Sequence, residues 1–462
     1  MKEKITFTIV LLIMACLLVS PVFADEVPGT APAIVAMKMS NSVDYPVTPH
    51  SIVPEVSETG KISVSIDAVG QNTGSGTIII EKPAGATVRS AYMAAASTGF
   101  TSYKLVPGDV TIDGTPVTWD IADYPNHIRS YNYFTDVTSI VKSKIDSAPA
   151  GEVSFTVAEA HASSIDGEIL AVIFDDPTQT TDNTVVLLFG AQDTDGDIFN
   201  IGLADPLDTA DPDLNLDFSL GISFGHQPNA QYSQIDVNGR RLTTSAGGED
   251  DGAPTNGALI TVGGVGDTNA NPANPYQTDS AGPRYDDELY SLLPFVADGD
   301  TLIVVNTLNP SDDDNIFFAA LNLKSATAVV GKGIVLSPAS ATNQLGEMHT
   351  LTAKVLDDLG NPVPGVAVDF MITEGPNAGL SAYGITDTAG QVTFSYTSAV
   401  EGTDSIIARV IENELIVSES NIATKTWVRE IPPVPEFPAL VLPVTMLFGV
   451  LFLVHIVKGR KA

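Results

Sequence analysis

Glu168-Ile-Leu-Ala-Val-Ile-Phe174 and Thr184-Val-Val-Leu-Leu-Phe189 are the two stretches that decide the fold of this chain. Each is too short for a typical helix and is rich in β-branched and aromatic side chains, so each predicts a β-strand. The apolar residues run continuously instead of alternating with polar ones, which is typical of strands that are buried on both faces. The centre of this protein is therefore predicted to be sheet.

Strand and turn signals continue on both sides of these stretches. Lys61-Ile-Ser-Val-Ser-Ile-Asp67 alternates with period two, as expected for a half-buried strand. The dipeptides Asp113-Gly114 and Asn238-Gly239 each sit between apolar runs, where they predict tight hairpin turns. Many short strands separated by turns indicate that residues 59–328 form a β-sandwich or jelly-roll-like module, with one or two subdomains.

One helix is predicted in this module, over residues 136–145. Val137, Ile140, Val141 and Ile145 recur there at helical spacing, and Thr135 or Asp136 could cap the first turn. We expect this short helix to cover a sheet.

The segment 331–428 predicts a second, separate sandwich. Turn residues at Asp358-Leu-Gly-Asn-Pro362, Glu374-Gly-Pro-Asn377 and Asp387-Thr-Ala-Gly390 divide it into short strands. The predicted strands cover residues 334–336, 349–355, 366–373, 381–386, 391–396, 404–410 and 416–426. This pattern predicts an Ig-like β-sandwich, so the fold class of the whole body is all-β.

Both ends of the chain carry hydrophobic segments. Residues 1–24 combine a basic start, an apolar run and small residues up to Ala24, a pattern that predicts a cleaved signal peptide. The alternatives are an uncleaved anchor and a lipoprotein signal built on Ile13-Met-Ala-Cys16. Residues 437–457 contain no charged side chain and are long enough to form a transmembrane helix. The basic tail at 458–462 should stay in the cytoplasm, so the body is predicted to be extracellular.

Two connecting segments complete this organisation. Residues 25–58 are rich in Pro, Ser, Thr and Val and are interpreted as an N-terminal arm that could supply an early strand. Residues 429–436 form a Pro-rich linker before the predicted transmembrane helix.

Composition excludes several classes of function. Lys+Arg 22 against Asp+Glu 56 gives a formal net charge of −34, which repels nucleic acids and excludes them as partners. The single cysteine, Cys16, lies in the predicted signal peptide, so the mature chain would have no disulfide, thiolate zinc site or cysteine nucleophile. Such an acidic protein is either kept soluble at high ionic strength or collects divalent cations.

Two acidic stretches are candidate calcium sites. Asp193, Asp195 and Asp197 alternate in one loop, and alternating carboxylates can turn inward around a calcium ion. The spacing departs from an EF-hand loop, because Gly196 precedes the third Asp and no bidentate Glu follows. Asp312, Asp313 and Asp314 form the second candidate. The alternative for both stretches is a solvated acidic loop without a bound ion.

No catalytic motif is complete. Gly221-Ile-Ser-Phe-Gly225 has the spacing of a nucleophile elbow, but the residues after it lack the helical pattern that such an elbow needs. A pair of carboxylates acting as in a glycosidase stays open, since spacing alone cannot recognise it. We therefore expect the protein not to be an enzyme.

Three parts of the chain resemble known families. Gly360-Asn-Pro-Val-Pro-Gly-Val-Ala-Val-Asp-Phe370 and Gly402-Thr-Asp-Ser-Ile-Ile-Ala408 closely resemble the bacterial Ig-like domain of invasin and intimin stalks, which implies a spacer or adhesive module. Asp166-Gly-Glu-Ile-Leu-Ala-Val-Ile-Phe-Asp-Asp-Pro177 resembles a β-rich region of unknown function in archaeal and bacterial surface proteins.

The third resemblance lies at the C-terminus. Pro435-Glu436-Phe437, followed by an apolar run and a basic end, closely resembles the PEF-type sorting signal of archaeal surface proteins. That resemblance implies processing by an archaeosortase, a membrane transpeptidase, with possible transfer of the new end to a lipid. A permanent single span is the alternative.

These observations predict a non-enzymatic cell-surface protein that displays a β-rich module on an Ig-like stalk, for adhesion, envelope structure or ligand capture. The expected partners are the membrane, the processing enzyme, and envelope proteins or glycans. A calcium-dependent carbohydrate-binding module is the alternative, and a secreted glycosidase or other hydrolase comes third.

Overall fold

The computed structural model describes residues 51–70, 73–122, 128–193, 195–223, 233–246, 260–262, 289–310, 315–357, 360–412 and 415–429. The predictions for the signal peptide, most of the N-terminal arm, Asp312 to Asp314, the Pro-rich linker, the sorting signal, the transmembrane helix and the tail fall outside these residues.

The described residues before 331 form short strands with one α-helix among them, the predicted all-β architecture. The strands are β1 (Val53–Gly60), β2 (Ile62–Gly70), β3 (Ser75–Lys82), β4 (Thr87–Ser97), β5 (Val110–Ile112), β6 (Thr115–Pro116), β7 (Ile121–Ala122), β8 (Asn132–Asp136), β9 (Gly151–Glu159), β10 (Ile165–Asp175), β11 (Asn183–Phe189), β12 (Asp197–Leu203), β13 (Asn215–Ser223), β14 (Ser233–Val237), β15 (Arg240–Ala246), β16 (Ile260–Val262), β17 (Leu289–Ser291), β18 (Leu302–Leu308), β19 (Asn315–Lys324) and β20 (Ala328–Val330). The helix is α1 (Thr138–Ser147), and a 3₁₀ turn follows β17 at Leu293–Phe295.

These strands form four sheets that stack face to face. Sheet I has the order β3-β9-β5-β6, sheet II β2-β10-β4-β8-β7, sheet III β1-β11-β19-β13-β16 with β17 beside β13, and sheet IV β15-β14-β18-β12-β20. Separate hydrophobic cores lie between sheets I and II, between II and III, and between III and IV. The sandwich prediction is therefore confirmed, and the structure adds that two sandwiches are packed against each other.

The stacking explains the continuous apolar runs of the central strands. In β10, Leu170, Val172 and Phe174 enter the core shared with sheet I, whereas Ile169, Ala171 and Ile173 enter the core shared with sheet III. Strand side chains alternate between the two faces, so a strand with sheets on both sides needs apolar residues at every position. The prediction of strands buried on both faces is confirmed for β10 and β11.

Both predicted hairpins are present. Asp113 and Gly114 connect β5 to β6 with φ values of 48° and 79°, and Asn238 and Gly239 connect β14 to β15 with 49° and 73°. Two successive positive φ angles are what a type I′ turn requires, which explains the choice of Asp or Asn followed by Gly.

Helix α1 begins two residues later than predicted. Its N-cap position is Val137, which makes no side-chain cap, and Asp136 instead accepts a hydrogen bond from Thr138 N through Oδ1 at 2.8 Å. Val141 and Ile145 are buried in the core between sheets I and II. The helix thus covers a sheet as expected, because its apolar stripe faces that core.

The segment after residue 331 folds into a two-sheet sandwich. Its strands are β21 (Gly333–Ser337), β22 (Ser340–Gln344), β23 (His349–Leu356), β24 (Ala367–Glu374), β25 (Ser381–Ile385), β26 (Gln391–Tyr396), β27 (Gly402–Glu412), β28 (Leu415–Glu419) and β29 (Ala423–Val428). Sheet V has the order β21-β23-β26, and sheet VI has the order β22-β29-β27-β24-β25 with β28 beside β27. One hydrophobic core joins the two sheets.

Two details of this sandwich differ from the prediction. The run predicted over 416–426 is two strands, β28 and β29, and β22 was missed. Strand β22 reads Ser-Ala-Thr-Asn-Gln and has no apolar alternation, because it lies at the edge of sheet VI and pairs only with β29. That pairing is parallel, so it joins the beginning of the domain to its end.

Within the described residues, no helix is long and apolar enough to cross a bilayer. The predicted transmembrane segment at 437–457 stays a prediction.

Candidate functional site

The first candidate site is the acidic loop that leads into β12. Asp193 shapes it: its Oδ1 accepts a hydrogen bond from Asp195 N at 3.1 Å, and its carbonyl oxygen accepts one from Gly196 N at 2.8 Å. Asp195 is exposed, whereas Asp197 is buried as the first residue of β12. Burial raises the pKa of Asp197 to about 7, although Ile52 N donates a hydrogen bond to its Oδ2 at 3.4 Å.

This loop is not arranged as a ready-made cation site. Across the described part of the chain, no group of three or more His, Cys, Asp or Glu side chains is placed so that it could hold a metal ion. Asp193, Asp195 and Asp197 are therefore neighbours in the loop without converging on one point. Asp312, Asp313 and Asp314 fall outside the described residues. Calcium binding at either stretch stays a prediction.

A group of buried acids, which the sequence patterns did not reveal, lies around the end of β9 and the start of β10. We call Glu159, Asp166 and Glu168 the carboxyl cluster; Glu159 ends β9, and the other two residues lie near the start of β10. Their residual exposures are 7%, 1% and 0%. None of their six carboxyl oxygens receives a hydrogen bond from any residue that the structure describes. Acids at this depth are rare, because an ionised carboxylate is costly to bury, and the carboxyl groups of Glu159 and Glu168 interact with each other.

The carboxyl cluster responds to this environment by holding protons. Burial raises the pKa of Glu168, and burial together with the negative charges of Glu168 and Asp166 raises that of Glu159. Burial also raises the pKa of Asp166 to about 7; the hydroxyl groups of Thr98 and Ser223 oppose this shift but lie outside hydrogen-bonding geometry. Burial thus disfavours the charged form of all three acids.

A buried amide pair joins sheets II and III close to the carboxyl cluster. Asn315 donates through Nδ2 to Asn132 Oδ1 at 2.8 Å, and Asn132 donates back to Asn315 Oδ1 at 3.1 Å. Asn315 also donates to Ser223 Oγ at 2.7 Å, the serine of the nucleophile-elbow spacing. Ser223 ends β13 with no exposed surface, so a substrate could not reach it in this structure.

The third feature is the junction between the β-rich part and the Ig-like sandwich. Only Gly331 and Lys332 separate β20 from β21. Ala339 N donates a hydrogen bond to Asp205 Oδ2 at 2.9 Å across the junction. A side chain at Gly360 would place its Cβ 2.9 Å from the Cβ of Asn200, so the backbone at Gly360 packs directly against the Asn200 side chain.

The interior of the Ig-like sandwich contains its own buried acid. Asp404 is fully buried in β27, and its carboxylate accepts hydrogen bonds from Tyr396 Oη at 3.0 Å and Trp427 Nε1 at 2.8 Å. Asn377 adds two more, from its backbone N at 2.9 Å and its Nδ2 at 2.8 Å. In contrast to the carboxyl cluster, this acid is fully provided with donors, and it ties the 375–379 turn to the domain core.

Comparison with known proteins identifies the Ig-like part. Residues 335–424 match the sequence profile of the bacterial Ig-like domain, group 1. No curated protein matches the chain. The solved structures with some similarity include the CARDB domain of PF1109 from Pyrococcus furiosus, at 18% identity over 22% of this chain and 98% of that chain, with a TM-score of 0.16.

Two further similar structures are longer. The D0-D1 domain of intimin is 11% identical and covers 53% of this chain and 90% of its own, with a TM-score of 0.19. The pilus backbone RrgB from Streptococcus pneumoniae is 8% identical and covers 78% of this chain and 93% of its own, with a TM-score of 0.16.

The fold and this match define the class: an all-β, sandwich-rich protein that carries a bacterial Ig-like domain. A protein of this class fits a non-enzymatic role at the cell surface, with an extracellular body.

Proposed function

We propose that this chain displays its β-rich part on the Ig-like sandwich as a rigid stalk, for adhesion, envelope structure or ligand capture. The observation that carries the proposal is the junction. A connection of two residues, the Ala339–Asp205 hydrogen bond and the close approach of Gly360 to Asn200 leave little freedom between the two parts. Rigid spacing is of use to a protein that has to hold a binding surface away from a membrane.

The buried acids support a structural role over a catalytic one. A general acid or base must come within hydrogen-bonding reach of its substrate. Glu159, Asp166 and Glu168 are enclosed between sheets, and Asp404 is occupied by donors of its own domain. These carboxyl groups act on the fold, through its stability and its dependence on pH.

The proposal includes the anchor and the partners. A transmembrane helix at 437–457, or a lipid added after processing at Pro435, Glu436 and Phe437, would hold the C-terminal end of the stalk at the membrane. Envelope proteins or glycans would be bound by the β-rich part. Protease treatment of intact cells that express the chain tests the display. A protease added outside the cells should digest the Ig-like domain. Protection of that domain in intact cells would contradict the proposal.

Pulsed electron-spin distance measurements test the rigid junction directly. Cys16 is the only cysteine and lies in the predicted signal peptide, so Glu152→Cys on β9 and Tyr383→Cys on β25 can be labelled specifically at exposed positions. A rigid stalk predicts a narrow distance distribution, which a flexible Gly/Ser insertion after Gly331 should broaden. A label pair within the Ig-like domain, Tyr383→Cys with Leu415→Cys, gives the width for a rigid body. An equally broad distribution with and without the insertion would rule out the stalk.

A further inference from the structure

Lys425 is an unusual lysine because none of its side chain is exposed. It lies in the middle of β29, the last strand of the Ig-like sandwich, opposite Ala341 of β22 on one side and Asp404 of β27 on the other. Lysine is almost never fully buried unless it is paired with an opposite charge. The environment of its amine therefore needs an explanation.

The amine of Lys425 contacts an amide. Its Nζ lies 2.5 Å from Oδ1 of Asn343, a residue of β22, and 4.8 Å from the centre of the Trp427 ring. In the parallel register of β22 and β29, Asn343 is opposite Trp427 and so lies two residues along from the partner of Lys425. A lysine side chain is long enough to cross that offset, which brings an amine and a carboxamide together between the first and last strands of sheet VI.

Burial makes the charged form of this amine less favourable than it is in an exposed lysine. Burial lowers the pKa of Lys425, and the charge of Glu347 opposes that shift. Burial and the nearby charge of Lys425 also lower the pKa of His349, to about 4. A lysine desolvated among apolar and aromatic groups is activated in the way that lysine nucleophiles are in enzymes.

We propose that Lys425 and Asn343 form an intramolecular isopeptide bond that joins β29 to β22. The carbonyl bond of an amide is about 1.23 Å long, so Nζ at 2.5 Å from Oδ1 lies no more than about 3.7 Å from Asn343 Cγ. Reacting atoms held about 3–3.5 Å apart are close to an attack geometry. The hydrogen bond from Nζ to Oδ1 therefore holds the amine near the carbon that it would attack.

The reaction is an amide exchange without oxidation or reduction. The lone pair of the neutral Lys425 amine attacks Asn343 Cγ, and the new Nζ–Cγ bond forms as the Cγ–Nδ2 bond breaks. One proton passes from Nζ to the leaving nitrogen, which departs as ammonia. Asn343 Nδ2 faces the carbonyl oxygen of Met348 at 3.4 Å, in a solvent-exposed turn, so the ammonia can leave directly into water.

Glu347 is the carboxylate that we assign to charge stabilisation in this reaction. It lies in the same turn, where its Oε2 accepts a hydrogen bond from Gln344 N at 2.9 Å, and its charge acts on Lys425. Its negative charge would stabilise the positive charge that develops on Nζ as the new bond forms. Glu347→Gln should therefore slow bond formation.

The bond would close a loop from residue 343 to residue 425, which contains nearly the whole Ig-like sandwich. Tension applied between the β-rich part and the membrane end would then pass through β22 and β29 directly, since these strands are adjacent and cross-linked. The rest of the sandwich would not need to unfold under load. This benefit concerns the domain itself and does not depend on which ligand the protein binds.

Peptide mapping of the full chain by mass spectrometry tests the proposal. Trypsin cuts after Lys332, Lys354, Arg409 and Arg429, which releases Asn343 in the peptide 333–354 and Lys425 in the peptide 410–429. The bond predicts one joined species, lighter than the sum of the two peptides by one ammonia, with no cleavage after Lys425. Separate peptides from the folded, aged protein would overturn the proposal.

Variants make the test specific. Lys425→Arg keeps the charge and removes the nucleophile, and Asn343→Ala removes the electrophile; both should give separate peptides and a lower Tm. Lys332→Arg, at an exposed lysine of the same domain, should keep the joined species. A joined species that persists in Lys425→Arg would also overturn the proposal.

Glu347→Gln keeps both reacting groups and addresses the case in which the other variants fail to fold. In freshly refolded protein it should form the bond more than tenfold more slowly. An unchanged rate would remove Glu347 from the reaction. Circular dichroism of each variant shows whether the sandwich has formed.

Discussion

Trp427 Nε1 donates a 2.8 Å hydrogen bond to Oδ2 of Asp404, and both residues are buried at the heart of the Ig-like sandwich. The two residues lie on β29 and β27, which are neighbours in sheet VI. Tyr396 of β26 in sheet V donates to the same oxygen at 3.0 Å. One carboxylate thus links the two sheets through aromatic donors, in a domain that has no disulfide between its sheets.

Removal of this carboxylate should weaken the domain strongly. We expect Asp404→Ala to lower the free energy of unfolding of the Ig-like sandwich by about 3–5 kcal/mol, because several buried donors lose their acceptor at once. Chemical denaturation followed by tryptophan fluorescence measures the change, since Trp427 is in this domain. Asp369→Ala, at a half-buried position of β24, is the matched control and should cost about 0.5 kcal/mol. Equal losses in the two variants would contradict the assigned role.

The carboxyl cluster predicts that the β-rich part loses stability as pH rises. The pKa of Asp166 is about 7 in the folded protein against 3.8 for an unperturbed Asp, so between these values the folded state binds more protons than the unfolded state. The stabilisation is fully present below about pH 4 and is lost as pH rises through the folded value. Burial raises the pKa of Glu159 and Glu168 in the same direction and extends the loss to higher pH.

Calorimetry at pH 5 and pH 8 tests this dependence. The Tm of the wild-type protein should be lower at pH 8, and Glu168→Gln should reduce the difference between the two pH values, because the amide cannot ionise. The matched control is Glu152→Gln, an exposed acid on β9, which should leave the difference unchanged. Both variants remove one acid from the −34 net charge and both keep His349. A comparison of the two variants therefore cancels the contributions of net charge and of His349 to the pH dependence of Tm. An equal pH dependence in both variants would remove the carboxyl cluster as its source.

The junction predicts that alanine destabilises the protein more at Gly360 than at Gly365, although the two glycines have nearly the same backbone conformation. Gly360 has a φ of 75° and Gly365 a φ of 79°, so alanine at either position should cost about 1–2 kcal/mol in backbone strain. A Cβ added at Gly360 would lie 2.9 Å from the Cβ of Asn200. A Cβ added at Gly365 would have no atom within 4 Å. Gly360→Ala should therefore cost a further 1–3 kcal/mol or so. It should also broaden the spin-label distances across the junction, which Gly365→Ala should not.

Calcium binding is tested by titration of the purified protein. If Asp193, Asp195 and Asp197 hold a calcium ion, a hundredfold excess over Kd should stabilise the fold by about 2.7 kcal/mol. The double variant Asp193→Asn with Asp195→Asn should abolish the heat of binding. A response that survives this variant but is lost when Asp312, Asp313 and Asp314 are all replaced by Asn would assign the ion to the second stretch. No heat and no shift in Tm would rule out both predicted sites.

Features encoded by neighbouring residues were predictable from the sequence. Asp113-Gly114 and Asn238-Gly239 specify their turns because the positive φ angles are properties of those residues themselves. The apolar runs of β10 and β11 indicated burial on both faces, which a stack of sheets requires. Strand β22 escaped prediction because a polar edge strand needs no apolar alternation, and its pairing with β29 involves residues from the other end of the domain.

The candidate sites also divide into features that local sequence reveals and features that depend on distant residues. Asp193, Asp195 and Asp197 were visible as a run of acids, yet in the structure Asp197 turns to Ile52, far away in the chain. Glu168 looked like the polar start of an apolar strand, and only the stacking of sheets I and II places it in the interior. No local spacing could signal Lys425 and Asn343, which are 82 residues apart.

The sequence by itself determined the all-β class, the two hairpins, the helix and the presence of an Ig-like sandwich, because turn chemistry and side-chain periodicity are local. Only the tertiary structure decided the order of the four stacked sheets, the burial of Glu159, Asp166 and Glu168, and the contact between Lys425 and Asn343. These depend on which distant strands become neighbours, and that choice is made by the burial of whole faces, which no short stretch of sequence specifies.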